Sequence, residues 1–258
     1  MNIHPTAIID SSAQLADDVT VGAYSIIGAD VTIGAGCQIG PHVIINGVTT
    51  IGRNNRIFQF ASVGEDCQDK KYKGERTFLE IGDNNVIREN CTIHRGTTQD
   101  QSLTRIGNNN LLMVNTHIAH DCMVGNDCIF ANNSGLAGHV KVGNSVIVGG
   151  NTGVHQFCQI GDFAMTGGAS LVLKDVPAFV MVFGNPAQAA GMNFEGMRRR
   201  GWSSETIGLL KRAYKIVYRQ GLTLEVAIQQ LEQDILPLCP EASYFIQSLT
   251  ASTRGITR

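Results

Sequence analysis

Aromatic side chains are scarce in this chain, at 6% of residues with a single Trp. A core anchored on large rings, as in an ordinary globule, is therefore not expected. No apolar run approaches the ~18 residues that a membrane-spanning helix needs. The opening residues MNIHPTAIIDSS carry no basic stretch followed by an apolar one. A secretory leader is thus not expected, and a cytoplasmic protein is. Charge is nearly balanced, with a formal net of −2, so nothing global points to nucleic acid. Glycine, by contrast, is abundant at 29 residues, and the 43% hydrophobic content is enough for a sizeable core.

The hydrophobic residues follow a period that no helix or flat strand has. Every sixth residue from Ile3 is aliphatic: Ile9, Leu15, Val21 and Ile27, then on through Ile33, Ile39, Ile45, Ile51 and Ile57 to Val63. The register returns at Ile81, Ile87 and Ile93, and again from Ile106 through Ile118 and Leu136 to Ile160. Thr166 breaks it and Val172 resumes it. Six residues fit a short strand plus a tight turn, so three hexads make one triangular coil of a β-solenoid. Stacked coils pair as parallel sheets ~4.8 Å apart. Gly often follows the aliphatic residue, as in Ile33-Gly34 and Ile51-Gly52, with Asn or Asp next, as in Arg53-Asn54-Asn55. These residues tolerate the left-handed backbone that such corners need.

Seven cysteines are present, an odd number. Cys37, Cys91, Cys122, Cys128 and Cys158 each follow a repeat aliphatic by four residues, a second inward position where a small residue fits. Buried reduced thiols are expected there, not disulfides or a metal. Two charged, repeat-free stretches, 64–80 and 94–105, interrupt the register and should loop out of an intact solenoid. Long loops on a rigid scaffold usually carry function. After about residue 190 the pattern turns helical. Ser203 opens a helix with Ile207, Leu210, Tyr214 and Val217 on its apolar face, stopping at Gly221. Thr223 opens a second, and Pro240 precedes a third with Phe245 and Leu249. The expected organisation is an all-β solenoid over 1–190 and a C-terminal helical domain over 191–258, with the helices covering the last coil edge.

Between 106 and 172 positions 18 apart should stack. His120 then lies in one column with Gly138 and Gln156; His139 and His155 flank that column, and His117 sits beside it. Gly138 leaves a gap with its backbone exposed. A histidine beside an exposed backbone N–H is the minimum equipment for acyl transfer to an alcohol. A general base assists attack by a sugar hydroxyl, typically worth ~10²–10⁴ in rate, and a fixed N–H stabilises the oxyanion. A purely structural ladder of polar side chains and a zinc site through His94, His117 and His120 are the competing readings. The gap at Gly138 and the presence of Gln156 favour a substrate site, with no metal and no cofactor.

The stretches NLLMVNTHIAHDCMVGN, GLAGHVKVGN, VHQFCQIG, DVPAFVMVFGNPA and MNFEGMRRRGW resemble the UDP-N-acetylglucosamine acyltransferase family. So do IFQFASVGEDCQDKKYKGE, VIREN-CTIHRGT and the terminal STRGITR, and the resemblance runs from about residue 3 to 258. It implies a left-handed parallel β-helix working as a homotrimer, with sites between adjacent subunits. It implies transfer of a 3-hydroxyacyl chain from acyl carrier protein to the 3-hydroxyl of UDP-N-acetylglucosamine, the first step of lipid A biosynthesis. By position His120 matches the general base, Asp121 its orienting partner, and Gly138 the residue whose N–H binds the oxyanion. His94, His117, His139, His155 and Gln156 match cleft residues. Gln68, Asp69 and Lys71 match contacts to the sugar nucleotide, and Asn193, Glu195, Arg199 and Arg200 match the group that holds the nucleotide from the neighbouring subunit. Gly168 matches a ruler for acyl-chain length; Gly150 lies one coil below it, so two stacked positions lack side chains.

Arg198-Arg199-Arg200 with Lys211, Arg212, Lys215 and Arg219 form a basic surface suited to steering an acidic carrier protein, and arginines suit a diphosphate. The nearest rival is the sister UDP-sugar N-acyltransferase. That enzyme usually carries an extra N-terminal uridine-binding domain, for which a repeat starting at Ile3 leaves no room. A non-catalytic solenoid is the other alternative; an ice-binding face would need a flat Thr array, whereas the outward positions here are mixed and charged.

Overall fold

The computed structural model describes residues 2–258. Residues 2–172 wind as a left-handed parallel β-helix, and its short strands, together with two that follow, form three sheets of 11, 9 and 8 strands. Successive coils pair at an offset of 18, as in Ile27↔Ile45 and Ile118↔Leu136. Each coil hydrogen-bonds to the next through backbone groups such as Gly28 N to Ile45 O at 2.8 Å. The repeat aliphatics point inward: Ile27, Ile45, Ile93, Ile118 and Leu136 are fully buried.

The corners divide the work between residue types differently from the expectation. The glycine after the aliphatic is in general not the left-handed residue, Gly64 (φ 79°) at the first insertion apart. It is required because a methyl there would strike the next coil: at Gly34 it would lie 2.6 Å from Gly52 O, and at Gly52 2.7 Å from Gly82 O. The left-handed backbone falls on the residue two further on, such as Asn54 (φ 56°) and Asn84 (φ 59°). Asn and Asp bear this conformation at low cost. Larger residues take it too, including Tyr24, His42, Phe60, His139 and Phe157.

The five inward cysteines are buried and free, as are Cys67 and Cys239. Burial pushes the Cys122 thiol up to about 12 and those of Cys91, Cys128 and Cys158 to about 11, so they stay protonated and inert. At one corner the same inward position holds Asn55, Asn85 and Asn110, also buried. They form a ladder. Asn85 Nδ2 donates to Asn55 Oδ1 at 3.0 Å and to Gly107 O at 3.0 Å, while its Oδ1 accepts from Asn110 N at 2.9 Å. Each amide therefore ties its own coil to both neighbours, and its polar atoms are satisfied without water.

Both insertions are shorter than their sequence suggests. Val63 pairs with Ile93, 30 positions on, so the first adds 30 − 18 = 12 residues, matching 66–77. Gly64 and Glu65 belong to strand Ser62–Glu65, and Phe78 to Glu80 to strand Phe78–Ile81. Leu79, two before Ile81, is buried on the inner face, so four-residue strands hide part of a six-residue period. Likewise Ile93 pairs with Ile118, and the second loop is bounded by strands Thr92–His94 and Leu103–Ile106.

At the C-terminal end, strand Val180–Phe183 joins the 11-stranded sheet and strand Gln188–Met192 turns back antiparallel upon it. This strand, not a helix, covers that sheet edge, and the expected boundary at 190/191 falls inside it. Four helices follow: α1 (Phe194–Arg199), α2 (Ser204–Arg219), α3 (Leu224–Asp234) and α4 (Ala242–Thr250). Ser203 and Thr223 cap α2 and α3 through their side chains. Trp202 and Tyr244 pack edge-on against Phe163 and Phe179, joining the helices to the last coils. The terminal segment is tied down by Asp175, which accepts from Ser252 Oγ at 2.8 Å, Thr253 N at 3.0 Å and Arg254 N at 3.1 Å.

The asparagine ladder generates a stability prediction. Asn85→Leu leaves the Asn110 N–H and the Gly107 carbonyl without their partners, while Asn55 Oδ1 keeps only the bond from the residue 85 N–H. It should lower the unfolding free energy by about 2–5 kcal/mol in chemical denaturation. Glu80→Ala, which removes only the exposed ion pair to Arg105, should change it by less than about 1 kcal/mol. Equal effects from the two variants would refute a stabilising role for the ladder.

Candidate functional site

The chemistry gathers at the corner that follows the nine-stranded sheet. Strand His117–Ile118 runs into Ala119-His120-Asp121, and one coil on, strand Gly135–Leu136 runs into Ala137-Gly138-His139. Asp121 and His139 occupy the left-handed position of their corners, at φ 58° and 63°. The backbone therefore aims them by the same geometry that elsewhere uses Asn.

His120 Nδ1 lies 2.9 Å from Asp121 Oδ2, and the Asp121 side chain is fully buried. A carboxylate only accepts, so the imidazole carries a proton on Nδ1, and in the neutral ring Nε2 is the free nitrogen. Burial pushes the Asp121 carboxyl upward, but bonds from His120 and Thr97 outweigh it and hold it below the usual carboxylate range. The imidazole lies directly over Gly138: a methyl there would sit 2.5 Å from both His120 Cε1 and Nε2. Gly138 is thus buried, not an exposed gap, because the ring of the coil below folds across it. Its N–H donates to no group among the described residues, and neither do the equivalent N–H groups of His120 and Gln156. Corner geometry frees this N–H in all three coils, and glycine lets a histidine close over the middle one.

His139 stands edge-on to His120 with ring centroids 5.0 Å apart and stacks on Phe157 at 4.4 Å. Its Nδ1 lies 2.9 Å from Asp100 Oδ2. Asp69 and Lys71 from the first insertion, Asp100 from the second, and Gln156 line one cleft with His120 and His139. His94 and His117 form a second edge-on pair, 5.0 Å apart, and Thr92 Oγ1 is 2.7 Å from His117 Nδ1. Burial, then His117, lowers His94 to about 4, and burial lowers His117 as well, so this pair is neutral near pH 7. His120, Asp121 and His139 bring donor atoms within 4.8 Å of one another, close enough for a cation in principle. Their contacts, however, are those of a hydrogen-bonded dyad, with Asp121 Oδ2 also receiving Thr97 Oγ1 at 2.6 Å.

Other expected residues lie apart from this cleft. His155 Nδ1 contacts the carbonyl of Gln156 at 3.1 Å and turns away from the histidine cluster. Gln68 is exposed beside the buried Cys67. Asn193 is buried with its side chain committed inside the fold: Oδ1 caps α1 at Gly196 N, 3.0 Å, and Nδ2 donates to Phe163 O, 3.1 Å. Glu195 pairs with Arg199 at 3.1 Å, and Arg200 lies over the Phe163 ring and donates to Gly196 O at 3.1 Å. Gly168 is exposed, and a methyl there would meet only Gly150 O, at 3.4 Å. Thr97, Asp100, Lys141 and Phe157 join the site without being marked by the repeat pattern. A hint was available for the first two, since both lie in a polar insertion that interrupts the repeat just before the histidine column.

Comparison with known proteins gives this geometry its context. Residues 175–257 match the family described as UDP N-acetylglucosamine O-acyltransferase, domain 2, and 103–138 match the bacterial transferase hexapeptide family. The acyl-[acyl-carrier-protein]–UDP-N-acetylglucosamine O-acyltransferase of Psychrobacter sp. is 62% identical over 256 residues, covering 99% of each chain. That of Stutzerimonas stutzeri is 59% identical with the same coverage. The solved structure of LpxA from Acinetobacter baumannii is 63% identical with a TM-score of 0.98 over 99% of both chains. The UDP-N-acetylglucosamine O-acyltransferase of Moraxella catarrhalis is 56% identical with a TM-score of 0.99 over 100% of both. With identity at this level along its whole length, the chain belongs to the UDP-N-acetylglucosamine O-acyltransferase family of hexapeptide-repeat proteins.

Proposed function

We propose that this chain transfers a 3-hydroxyacyl group from the thioester of acyl carrier protein to the 3-hydroxyl of UDP-N-acetylglucosamine, with His120 as general base. The observation that carries the reading is the His120 ring packed over Gly138, whose N–H is unpaired, with Nδ1 bound to buried Asp121 and Nε2 without a partner. Nε2 takes the hydroxyl proton as the sugar oxygen attacks the thioester carbonyl carbon. The carbonyl oxygen gains the electron pair and is stabilised by the Gly138 N–H. As the intermediate collapses the C–S bond breaks, and the proton held by His120 passes to the departing sulfur. The products are a sugar ester and the free carrier thiol. The family relatives named for this activity support the substrate pair.

Three further assignments belong to the same reading. Lys211, Arg212, Lys215 and Arg219 are all exposed on α2 and suit the acidic carrier protein. A homotrimer is supported by the outer face of the nine-stranded sheet. There Ile8, Ile26 and Ile44 line up in register and stay 63%, 38% and 38% exposed, beside an exposed stack of Tyr24, His42 and Phe60. Higher up, the same face presents His117, so a neighbour covering the apolar strip also walls the cleft from water. Arg199 and Arg200, remote from His120 in one subunit, then serve the cleft of the next, together with Glu195. Gly168 and Gly150 form a side-chain-free column that accommodates the acyl chain and sets its length.

His120→Ala should lower kcat by about 10²–10⁴ while the protein stays folded. Gly138→Ala should lower it by at least about 100-fold, because its methyl collides with the imidazole. A His120→Ala variant that keeps more than about a tenth of the rate would remove the general base from the mechanism. The ruler reading is tested separately. Gly168→Met has room to fold and should shift kcat/KM toward shorter donors across a ladder of 3-hydroxyacyl carrier proteins. Each excluded CH₂ should be worth about 0.8 kcal/mol. An unchanged length profile would place the end of the groove elsewhere.

A further inference from the structure

The second insertion, residues 95–102, reaches back onto the catalytic corner. Its neck is pinched: a methyl at Gly96 would lie 2.1 Å from Leu103 N. The Thr97 carbonyl accepts both Asp100 N at 3.2 Å and Ser102 N at 3.0 Å, which fixes Thr97 within the loop. Thr97 is fully buried. Its N–H points at the Asp121 carboxylate, 3.0 Å from Oδ1 and 3.1 Å from Oδ2, and its hydroxyl donates to Oδ2 at 2.6 Å. From the other side Asp121 N donates to Thr104 Oγ1 at 2.8 Å. Asp121 is therefore held at both its backbone and its carboxylate by residues outside its own coil.

We propose that Thr97 is a positioning residue for proton transfer, holding Asp121 so that His120 keeps its proton on Nδ1 and presents a basic Nε2. This rests on the reading of His120 as general base. The hydroxyl of Thr97 and the Nδ1–H of His120 share one oxygen, Asp121 Oδ2. The hydroxyl both fixes where that oxygen lies and draws off part of its negative charge. Without it the carboxylate swings more freely and holds the imidazolium more tightly. The base is then worse aimed and harder to deprotonate. The other charged or titratable groups facing His120 and Asp121 are His94, His117, His139, Cys67, Asp69, Lys71, Asp100 and Lys141. None of them is altered by a change of the Thr97 hydroxyl.

The test compares Thr97→Val, which keeps the shape and the N–H, with Thr97→Ser, which keeps the hydroxyl; Thr97→Ala serves if the Val variant does not fold. The Val variant should lose about tenfold in kcat, the scale of one hydrogen bond to a charged group. Its KM for the sugar nucleotide should stay within about twofold of the wild type. The acid limb of its kcat/KM profile should move to higher pH by about 0.5. Thr97→Ser should restore both. In an Asp121→Asn background Thr97→Val should have little further effect on kcat. A purely structural tie would instead lower the melting temperature or raise KM, with the acid limb in place and the two substitutions additive, and that outcome overturns the inference. His120→Ala separates the two claims: an active His120→Ala variant defeats the base reading. An inactive one combined with an unmoved limb in Thr97→Val defeats only the role of Thr97.

Discussion

The register lock between coils is the constraint on which the rest of the molecule depends. Every coil must pair with the next in parallel, residue against residue, and a slip of one position would turn each inward aliphatic outward. The lock is enforced by the buried aliphatics, by the backbone bonds between coils, and by the Asn55–Asn85–Asn110 ladder. Insertions survive because they leave and re-enter where strands end, so Val63 still meets Ile93 and Ile93 still meets Ile118. A column of residues from separate coils is consequently as rigid as a strand, and His120 and Gly138 owe their contact to that rigidity.

Function is then placed at a corner, where the backbone accepts residues of many kinds. In the coils that carry His120, Gly138 and Gln156, the corner after the nine-stranded sheet needs a left-handed residue and frees an N–H. Asp121 and His139 supply the first and Gly138 exploits the second. The two insertions emerge just below this corner and fold up against it, where Thr97 and Asp100 contact Asp121 and His139. Arg95, buried where the second loop leaves its strand, donates to Gly64 O and Asp66 and so anchors the first loop as well. The solenoid thus sets the positions of the reacting groups, and the loops hold the groups that orient them.

What could be read from the sequence was what repeats. The six-residue period placed the inward aliphatics and cysteines, and the 18-residue coil put His120, Gly138 and Gln156 in one column by spacing alone. Local signals also held, since Ser203 and Thr223 cap their helices as side-chain chemistry dictates. What could not be read was what depends on side-chain direction across coils. Nothing in the spacing tells that the His120 ring folds over Gly138, or that His155 turns to its own backbone. Buried Asn85 looks like a surface turn residue until its partners one coil away are known. Helix α1 is a six-residue element capped by Asn193, too short to show a period, and the same cap explains why the Asn193 side chain is engaged within the fold.

The scaffold fixes one tautomer of one neutral histidine, with the proton on Nδ1 toward Asp121 and a free Nε2 on the ring that covers Gly138. Nitrogen-15 NMR of imidazole-labelled protein, assigned with the His120→Ala variant, reads this directly. At a pH where His120 is neutral, Nδ1 should be protonated and Nε2 unprotonated. A His120 signal with the proton on Nε2, or an even mixture of the two forms, would contradict it.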